Sequence, residues 1–182
     1  TCTYAGCTDP IACNYNSTAG CTDGSCDYIT IGNSILHSGM ECPDTTCIGS
    51  EVTYSVTGNP LSVYEWNISG GGSLTPDKNT CDVAFGFNSG TYTLSVSEIT
   101  PSGCLSDTIT CEIVVIIPHI NFDTNSYTIC LNGTLPLSAI PPNGEWDSDF
   151  VTNNSFVGTM AGSFTVGYTG RVQGCDVKEY IT

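Results

Sequence analysis

Two small β-sandwiches in series, behind a short disulfide-rich and loop-dominated head, are what this sequence predicts. Three observations carry that all-β expectation. The pattern Cys47…Trp66…Gly103-Cys104 occurs a second time as Cys130…Trp146…Gly174-Cys175. The stretches ahead of the second cysteine match too. Gly90-Thr91-Tyr92-Thr93-Leu94-Ser95-Val96 and Gly162-Ser163-Phe164-Thr165-Val166-Gly167-Tyr168 each read as an alternating, aromatic-bearing strand after a glycine turn and before a Gly-Cys hairpin. The third observation is the first 28 residues, dense in Cys, Asp, Asn, Gly and Thr and without apolar periodicity. Cross-links must replace a core there. A tryptophan packed on an inter-sheet disulfide is the core device of immunoglobulin-like sandwiches, and both repeats offer its parts.

Composition bounds the partners. The 182 residues include 18 acidic and three basic side chains (Lys78, Arg171, Lys178), a net charge of −15. With no basic patch, binding to a phosphate backbone is excluded, and so is an anionic membrane surface. Cations such as Ca²⁺, neutral glycans and other proteins remain as partners. Twelve cysteines without zinc-type Cys-x-x-Cys pairs argue for disulfides and an oxidising compartment. The longest apolar run, Ile113 to Ile117, is far too short to span a bilayer as a helix. No signal peptide is visible, so Thr1 reads as a mature N-terminus or as a cut inside a longer chain.

Residues 1–28 form the head. Cys2-Thr3-Tyr4 recurs 24 residues later as Cys26-Asp27-Tyr28, so the chain begins with the tail of one Cys-rich repeat and continues with a full copy. Gly6-Cys7-Thr8-Asp9-Pro10, Ala12-Cys13-Asn14-Tyr15 and Asp23-Gly24-Ser25-Cys26 resemble the Cys-rich repeats of large surface proteins of Bacteroidota. Within the repeat, nested loops would pair Cys7 with Cys26 and Cys13 with Cys21. Cys2 then lacks a partner in its own repeat and would reach Cys42 or a neighbouring chain.

Residues 29–117 form the first sandwich. Ile29, Ile31, Ile35 and Leu36 read as a leading strand, either in-domain or an arm that adds to a neighbour's sheet. Glu51–Val56 alternates with period two, and Val63–Ile68 is the Trp strand. Cys81–Phe85, Thr91–Ile99 and Thr108–Ile117 complete the sheets. The Cys47–Cys104 bridge is expected across the core, with Cys81 meeting Cys111. Cys47–Val56, Tyr64–Gly71 and Ser102–Thr108 resemble the polycystic-kidney-disease-like (PKD-like) modules of the same surface proteins, which implies the fold more than a role.

Residues 118–182 form a shorter second sandwich with a Cys130–Cys175 bridge. Leu135, Leu137, Trp146, Phe156, Phe164, Val166 and Tyr168 supply its core. It resembles the Ig-like repeats that follow PKD-like modules. The strand at 175–182 reads as an open edge, completed by another chain or cut.

Little chemistry is encoded. Asp9, Asn14, Asn16, Asp23 and Asp27 have the oxygen chemistry Ca²⁺ wants, although Thr22 stands where related repeats carry a second acid. The other reading makes them Asx-turns and caps. Glu145, Asp147 and Asp149 share one face of a strand and read as a solvated surface. His37 and His119 sit in linker-like segments outside any triad or zinc motif. Asn16, Asn67, Asn132 and Asn153 head N-glycan acceptor patterns. The resemblance adds the O-glycan pattern at Thr45 and Thr108.

The expected function is therefore non-enzymatic: an extracellular, structural or adhesive protein. The resemblance implies a bacterial surface filament or stalk exported by the type IX route. The alternative is a carbohydrate-binding module appended to a secreted protein, with Tyr64 or Trp146 exposed along a glycan groove. Self-association or contact with neighbouring modules is expected. Neither nucleic acid nor membrane insertion is.

Overall fold

A computed structural model describes residues 2–182. The chain is all-β and divides into two compact units, Thr1–Ile116 and Ile117–Thr182. The head belongs to the first unit.

In the head, β1 (Ala5–Gly6) and β2 (Cys21–Thr22) pair in parallel. Cys2–Cys21 and Cys7–Cys26 lock that pair, with Cα atoms 6.0 and 4.7 Å apart. The β1–β2 pairing explains why Cys21 does not take Cys13 as expected: it brings Cys2 beside Cys21. Cys13 faces the sandwich instead and bonds to Cys104, 91 residues away.

The first sandwich follows. Its strands are β3 (Leu36–His37), β4 (Met40–Glu41), β5 (Asp44–Cys47), β6 (Glu51–Ser55), β7 (Val63–Ile68), β8 (Ser73–Asp77), β9 (Thr80–Ala84), β10 (Gly90–Ile99) and β11 (Ile109–Ile116). One sheet runs β4-β3-β6-β9-β8, the other β5-β11-β10-β7. All pairings are antiparallel except β5 with β11. This is the two-sheet arrangement of an immunoglobulin-like sandwich. Period-two alternation sends Val52 and Tyr54 from β6, Val83 from β9, Leu94 and Val96 from β10, and Ile113 and Val115 from β11 into one core. Burying each such aliphatic side chain contributes about 2 kcal/mol. Of the expected leading strand over 29–36, only Leu36 is strand, in β3, where it pairs with Ser55; residues 29–35 run irregularly within the first unit, with Ile35 fully buried.

The second unit is built from shorter pieces. They are β12 (Asn121–Phe122), β13 (Thr134–Pro136), β14 (Ala139–Ile140), β15 (Glu145–Asp147), β16 (Val151–Thr152), β17 (Ser155–Val157), β18 (Val166–Val172) and β19 (Cys175–Ile181). They make sheets β12-β14, β13-β17-β16 and β15-β18-β19. Leu137, Phe156, Val166 and Ile181 form one buried cluster, and Ile120, Ala139 and Tyr168 another. The β18–β19 hairpin turns at Gln173 and Gly174, both at positive φ, which glycine adopts without strain and which closes a two-residue loop.

The cysteines correct the expected pairing in both sandwiches. Cys47 lies opposite Ile116, at the far end of β11 from the Ile99–Leu105 bridge beside Cys104. At about 3.3 Å per residue, the length of β11 separates them by more than 20 Å, far beyond disulfide reach. The same geometry separates Cys130 from Cys175, which starts β19, because Tyr127 lies at Thr182 beyond the strand's other end. Cys47 and Cys175 are both disulfide-bonded, whereas Cys130 is free and exposed. Cys111 takes Cys42, with Cα atoms 5.4 Å apart, so Cys2 does not reach Cys42 and Cys81 is left buried and free. Burial pushes the Cys81 thiol up, which makes it unreactive. Trp66 is half-buried at the edge of the core and donates from Nε1 to the Lys78 carbonyl at 3.0 Å.

Candidate functional site

The strongest polar constellation joins the head to the first sandwich. Glu98 sits on β10 two residues beyond Val96, so the pleat points it inward, and it is fully buried. Its carboxylate accepts from the Thr30 and Ile31 amides, both at 2.7 Å, from the Thr30 hydroxyl at 2.9 Å and from the Ser62 hydroxyl at 2.6 Å. Burial pushes its pKa up, but the Ser62 hydroxyl and the Thr30 and Ile31 amides outweigh burial and hold the carboxyl below the usual range. An ionised, fully bonded acid therefore fixes the segment that leaves the head. Alongside it, Ser102's amide donates to Asp27 at 2.9 Å and holds that carboxyl low. Asn14 Nδ2 donates to Ser102 Oγ at 3.3 Å, and Cys13–Cys104 closes the joint. Sequence reading passed over Glu98, though the signal was present: Leu94, Val96 and Glu98 share one strand face.

The five residues expected as calcium ligands make local turns and caps. Asp9 accepts from the Ile11 amide at 3.0 Å and the Tyr28 hydroxyl at 2.8 Å, both of which lower its pKa. Asn14 Oδ1 accepts from the Asp27 amide at 2.8 Å. Asn16 Oδ1 accepts from the Thr18 amide at 3.0 Å and hydroxyl at 2.7 Å. Asp23 accepts from the Ser25 amide at 2.9 Å. The bonds of Asp9 to Ile11, Asn16 to Thr18 and Asp23 to Ser25 are Asx-turns, whereas Asn14 ties across the head to Asp27, and Asp27 to Ser102. Among the described residues, no three His, Cys, Asp or Glu side chains converge as a metal site would require.

Other candidates scatter. Asp147 pairs with Lys178 across the sheet. His37 Nδ1 lies 2.8 Å from Asp44, which also accepts from the Tyr54 hydroxyl at 2.7 Å. His119 pairs with Glu179. Thr45, Thr108, Asn16, Asn67, Asn132 and Asn153 are all exposed, as glycan acceptors must be. Neither aromatic expected along a glycan groove is exposed. Tyr64 is buried, with its hydroxyl on the Asn59 carbonyl at 3.0 Å. Trp146 stacks on Tyr168 with ring centres 4.7 Å apart. Among the described residues, no helix is long and apolar enough to cross a membrane.

A largely apolar concavity lies in the second unit. It has a volume of about 490 Å³ and an apolar floor of Ile129, Leu135, Leu137, Phe156, Phe164 and Val166. The sequence shows the individual apolar residues but not that Ile129, Leu135 and Phe164 remain partly uncovered, because that depends on strand register.

No protein-family profile matches the chain, and no curated protein matches it. Solved structures similar to it carry immunoglobulin-like or fibronectin-III-like modules. The titin I-band fragment I67–I69 is 13% identical over 84% of this chain, with a TM-score of 0.35. This chain spans 63% of that fragment's length. The fibronectin(III)-like modules of Clostridium thermocellum CbhA are 12% identical, covering 80% of this chain and 90% of that one, with a TM-score of 0.37. Extracellular domains 3–5 of Drosophila OTK are 14% identical, covering 81% and 60%, with a TM-score of 0.34. Similarity at this level says nothing about role.

Proposed function

We propose that this chain is a non-enzymatic, extracellular structural or adhesive segment, part of a surface stalk or filament. The joint between head and first sandwich carries the reading. A disulfide (Cys13–Cys104), a buried fully bonded carboxylate (Glu98) and the Asp27–Ser102 bond all fix the head to its neighbour. That many constraints on a loop-rich appendage suit a load-bearing or spacing element better than a mobile recognition arm. Ten disulfide-bonded cysteines out of twelve fit an oxidising, extracellular setting. The Bacteroidota origin and type IX export rest on the head's repeat motif alone. Two cues for end-to-end polymerisation are used internally, since Cys2 bonds to Cys21 and Leu36, in the 29–36 stretch, pairs within the sandwich.

Negative-stain electron microscopy of the native protein, with and without reductant, tests this. Straight rods or fibres that become kinked or collapse on reduction are expected. Compact, unassociated particles of unchanged outline after reduction would remove the reading.

A further inference from the structure

In the first sandwich, one sheet stops at an unpaired flank of β7. β10 pairs with β7 on one side only, so β7 is an edge strand. The topology of the module leaves that edge open. The chain passes from Ile68 into β8 of the opposite sheet through Ser69–Gly72 alone, so no strand between them is available to lie beside β7. The Ser69 amide donates to the Thr93 carbonyl at 3.0 Å and continues the β7–β10 ladder. Facing alternates along an antiparallel ladder, so Val63, Glu65 and Asn67 turn their amides and carbonyls to β10. Those of Tyr64, Trp66 and Ile68 point away, and no backbone hydrogen bond reaches them among the described residues. Trp66 and Ile68 are part-exposed, whereas Tyr64 is buried, its ring against Gly58 and its hydroxyl on the Asn59 carbonyl.

Edge strands invite pairing unless something blocks it. The other edges of this sandwich are blocked. β4 has two residues, β5 has four with Pro43 just ahead of them, and β8 carries Pro76. β7 runs six residues without proline, glycine or lysine. It is also nearly uncharged. Between Leu61 and Pro76 the single charge is Glu65, in a chain of net charge −15. Two copies of so acidic a chain repel each other least along a stretch like this.

We propose that β7 pairs antiparallel with β7 of a second copy, about a two-fold axis at Trp66. Trp66 lies opposite Trp66 of the second copy, and Tyr64 opposite its Ile68. Every amide and carbonyl that points away from β10 then has a strand partner. On the outer face the exposed Glu65 stands opposite Asn67 of the second copy, whose side-chain amide donates to the carboxylate. On the inner face the part-exposed Trp66 and Ile68 gain cover. The neighbouring hydrogen-bonded registers are poorer. One sets Glu65 against Glu65 of the second copy. The other sets Tyr64 against Gly70, which lies in the turn at positive φ. The strand is thus its own complement, which makes the occupant a second copy and not an unrelated strand. The pairing does not depend on the stalk reading; within a stalk it would join neighbours side by side.

Asn67 supplies the test, because it is exposed and its substitution does not disturb the fold. Sedimentation velocity on the intact chain, across a concentration series, reads self-association. A Cys130→Ser background removes the free, exposed thiol as a source of covalent dimers. A reversible dimer is expected. Asn67→Lys sets opposite charges across the axis twice and is expected to tighten the dimer about tenfold. Asn67→Glu sets like charges there and is expected to weaken it about tenfold. A chain that is monomeric at every concentration overturns the proposal. So does a dimer that responds to neither substitution, or in the same direction to both, because its interface then lies elsewhere. A monomeric chain whose Trp66 and Ile68 amides exchange more slowly on adding a peptide copying Val63–Ile68 also overturns it, since the edge then takes single strands and not a second copy. Single rods without lateral partners would remove the pairing and keep the stalk reading. Paired particles that never form rods would do the reverse.

Discussion

The two sandwiches carry the same strand motif and the same tryptophan position, yet their cores are covered to different extents. In the first, β10 is paired along its whole length, with β11 on one side and β7 on the other. Leu94, Val96, Ile113 and Val115 are all at or near zero exposure. In the second, β18 is seven residues long against ten for β10, and Phe164 is only partly covered. Similar local sequence thus yields similar strands, while the cover over each core differs. The modules also differ in how they are cross-linked. Cys111 is bridged to Cys42 inside the first, whereas the matching position in the second is the aliphatic Ile181.

The largest expected effect tests that cross-link. Cys42 and Cys111 are 69 residues apart, and closing a loop of that size stabilises by about 4 kcal/mol in the chain-entropy account. The double variant Cys42→Ser, Cys111→Ser is expected to lose about that much in the first sandwich and nothing in the second. Each unit holds one tryptophan, so the transitions separate by fluorescence. Trp66 reports the first in a Trp146→Phe background, and Trp146 the second in a Trp66→Phe background. A double variant that unfolds with wild-type midpoint would show that packing alone closes the first module.

The next comparison probes the two cores at matching positions. Tyr92→Ala empties a fully packed site and is expected to cost about 4 kcal/mol. Phe164→Ala, at the matching position, is expected to cost about 1 kcal/mol, because the ring is already partly in water and leaves no closed cavity. Equal costs in denaturant titrations would mean that Phe164 is as fully packed in solution as Tyr92.

How far the sequence foretold this follows from the range of each interaction. Strand positions and inward faces were legible, because alternation such as Val52, Tyr54, Val56 is local. The two-module plan was legible from the repeated Trp and Gly-Cys signals. The disulfide map was not. Reading Cys47 with Cys104 assumed that both lay on core strands, but they cap opposite ends of one sheet, and only the β5–β11 and β10–β11 registers show it. Cys7 and Cys26, close in sequence and held by head geometry, were within reach of local argument. Cys13 was not, since its partner lies in a hairpin of the next module. The head's acids were foreseen as either ligands or turn-formers, and their bonds to Ile11, Thr18 and Ser25 follow from spacings of two residues. Tyr64 went the other way. Its strand position was visible, but the face it takes depends on the sheet packed against it, and it is buried.

Glu98 sharpens the comparison further, because its counterpart in the second unit is Gly170. Glu98 lies two residues beyond Val96, the partner of Trp66, as Gly170 lies two residues beyond Tyr168, the partner of Trp146. The first module alone therefore buries a carboxylate on this strand. Glu98→Gln keeps the shape but loses the charge and part of its acceptor capacity. With four donors then competing for one amide oxygen, the expected loss is about 2 kcal/mol near neutral pH. The pH dependence has a definite sign. Glu98's folded pKa is lowered from 4.5, so its contribution is fully present above about 4.5 and fades as pH falls through the lower, folded value. Between pH 6 and 3 the Trp66-reported stability should fall, and Glu98→Gln should flatten that fall by removing the group that must protonate. The Trp146-reported curve should be the same with and without the substitution. If Glu98→Gln leaves the acid slope of the first sandwich unchanged, the carboxylate is not what holds residues 30 and 31 in place, and the rigidity of the head must come from Cys13–Cys104 and Asp27 instead.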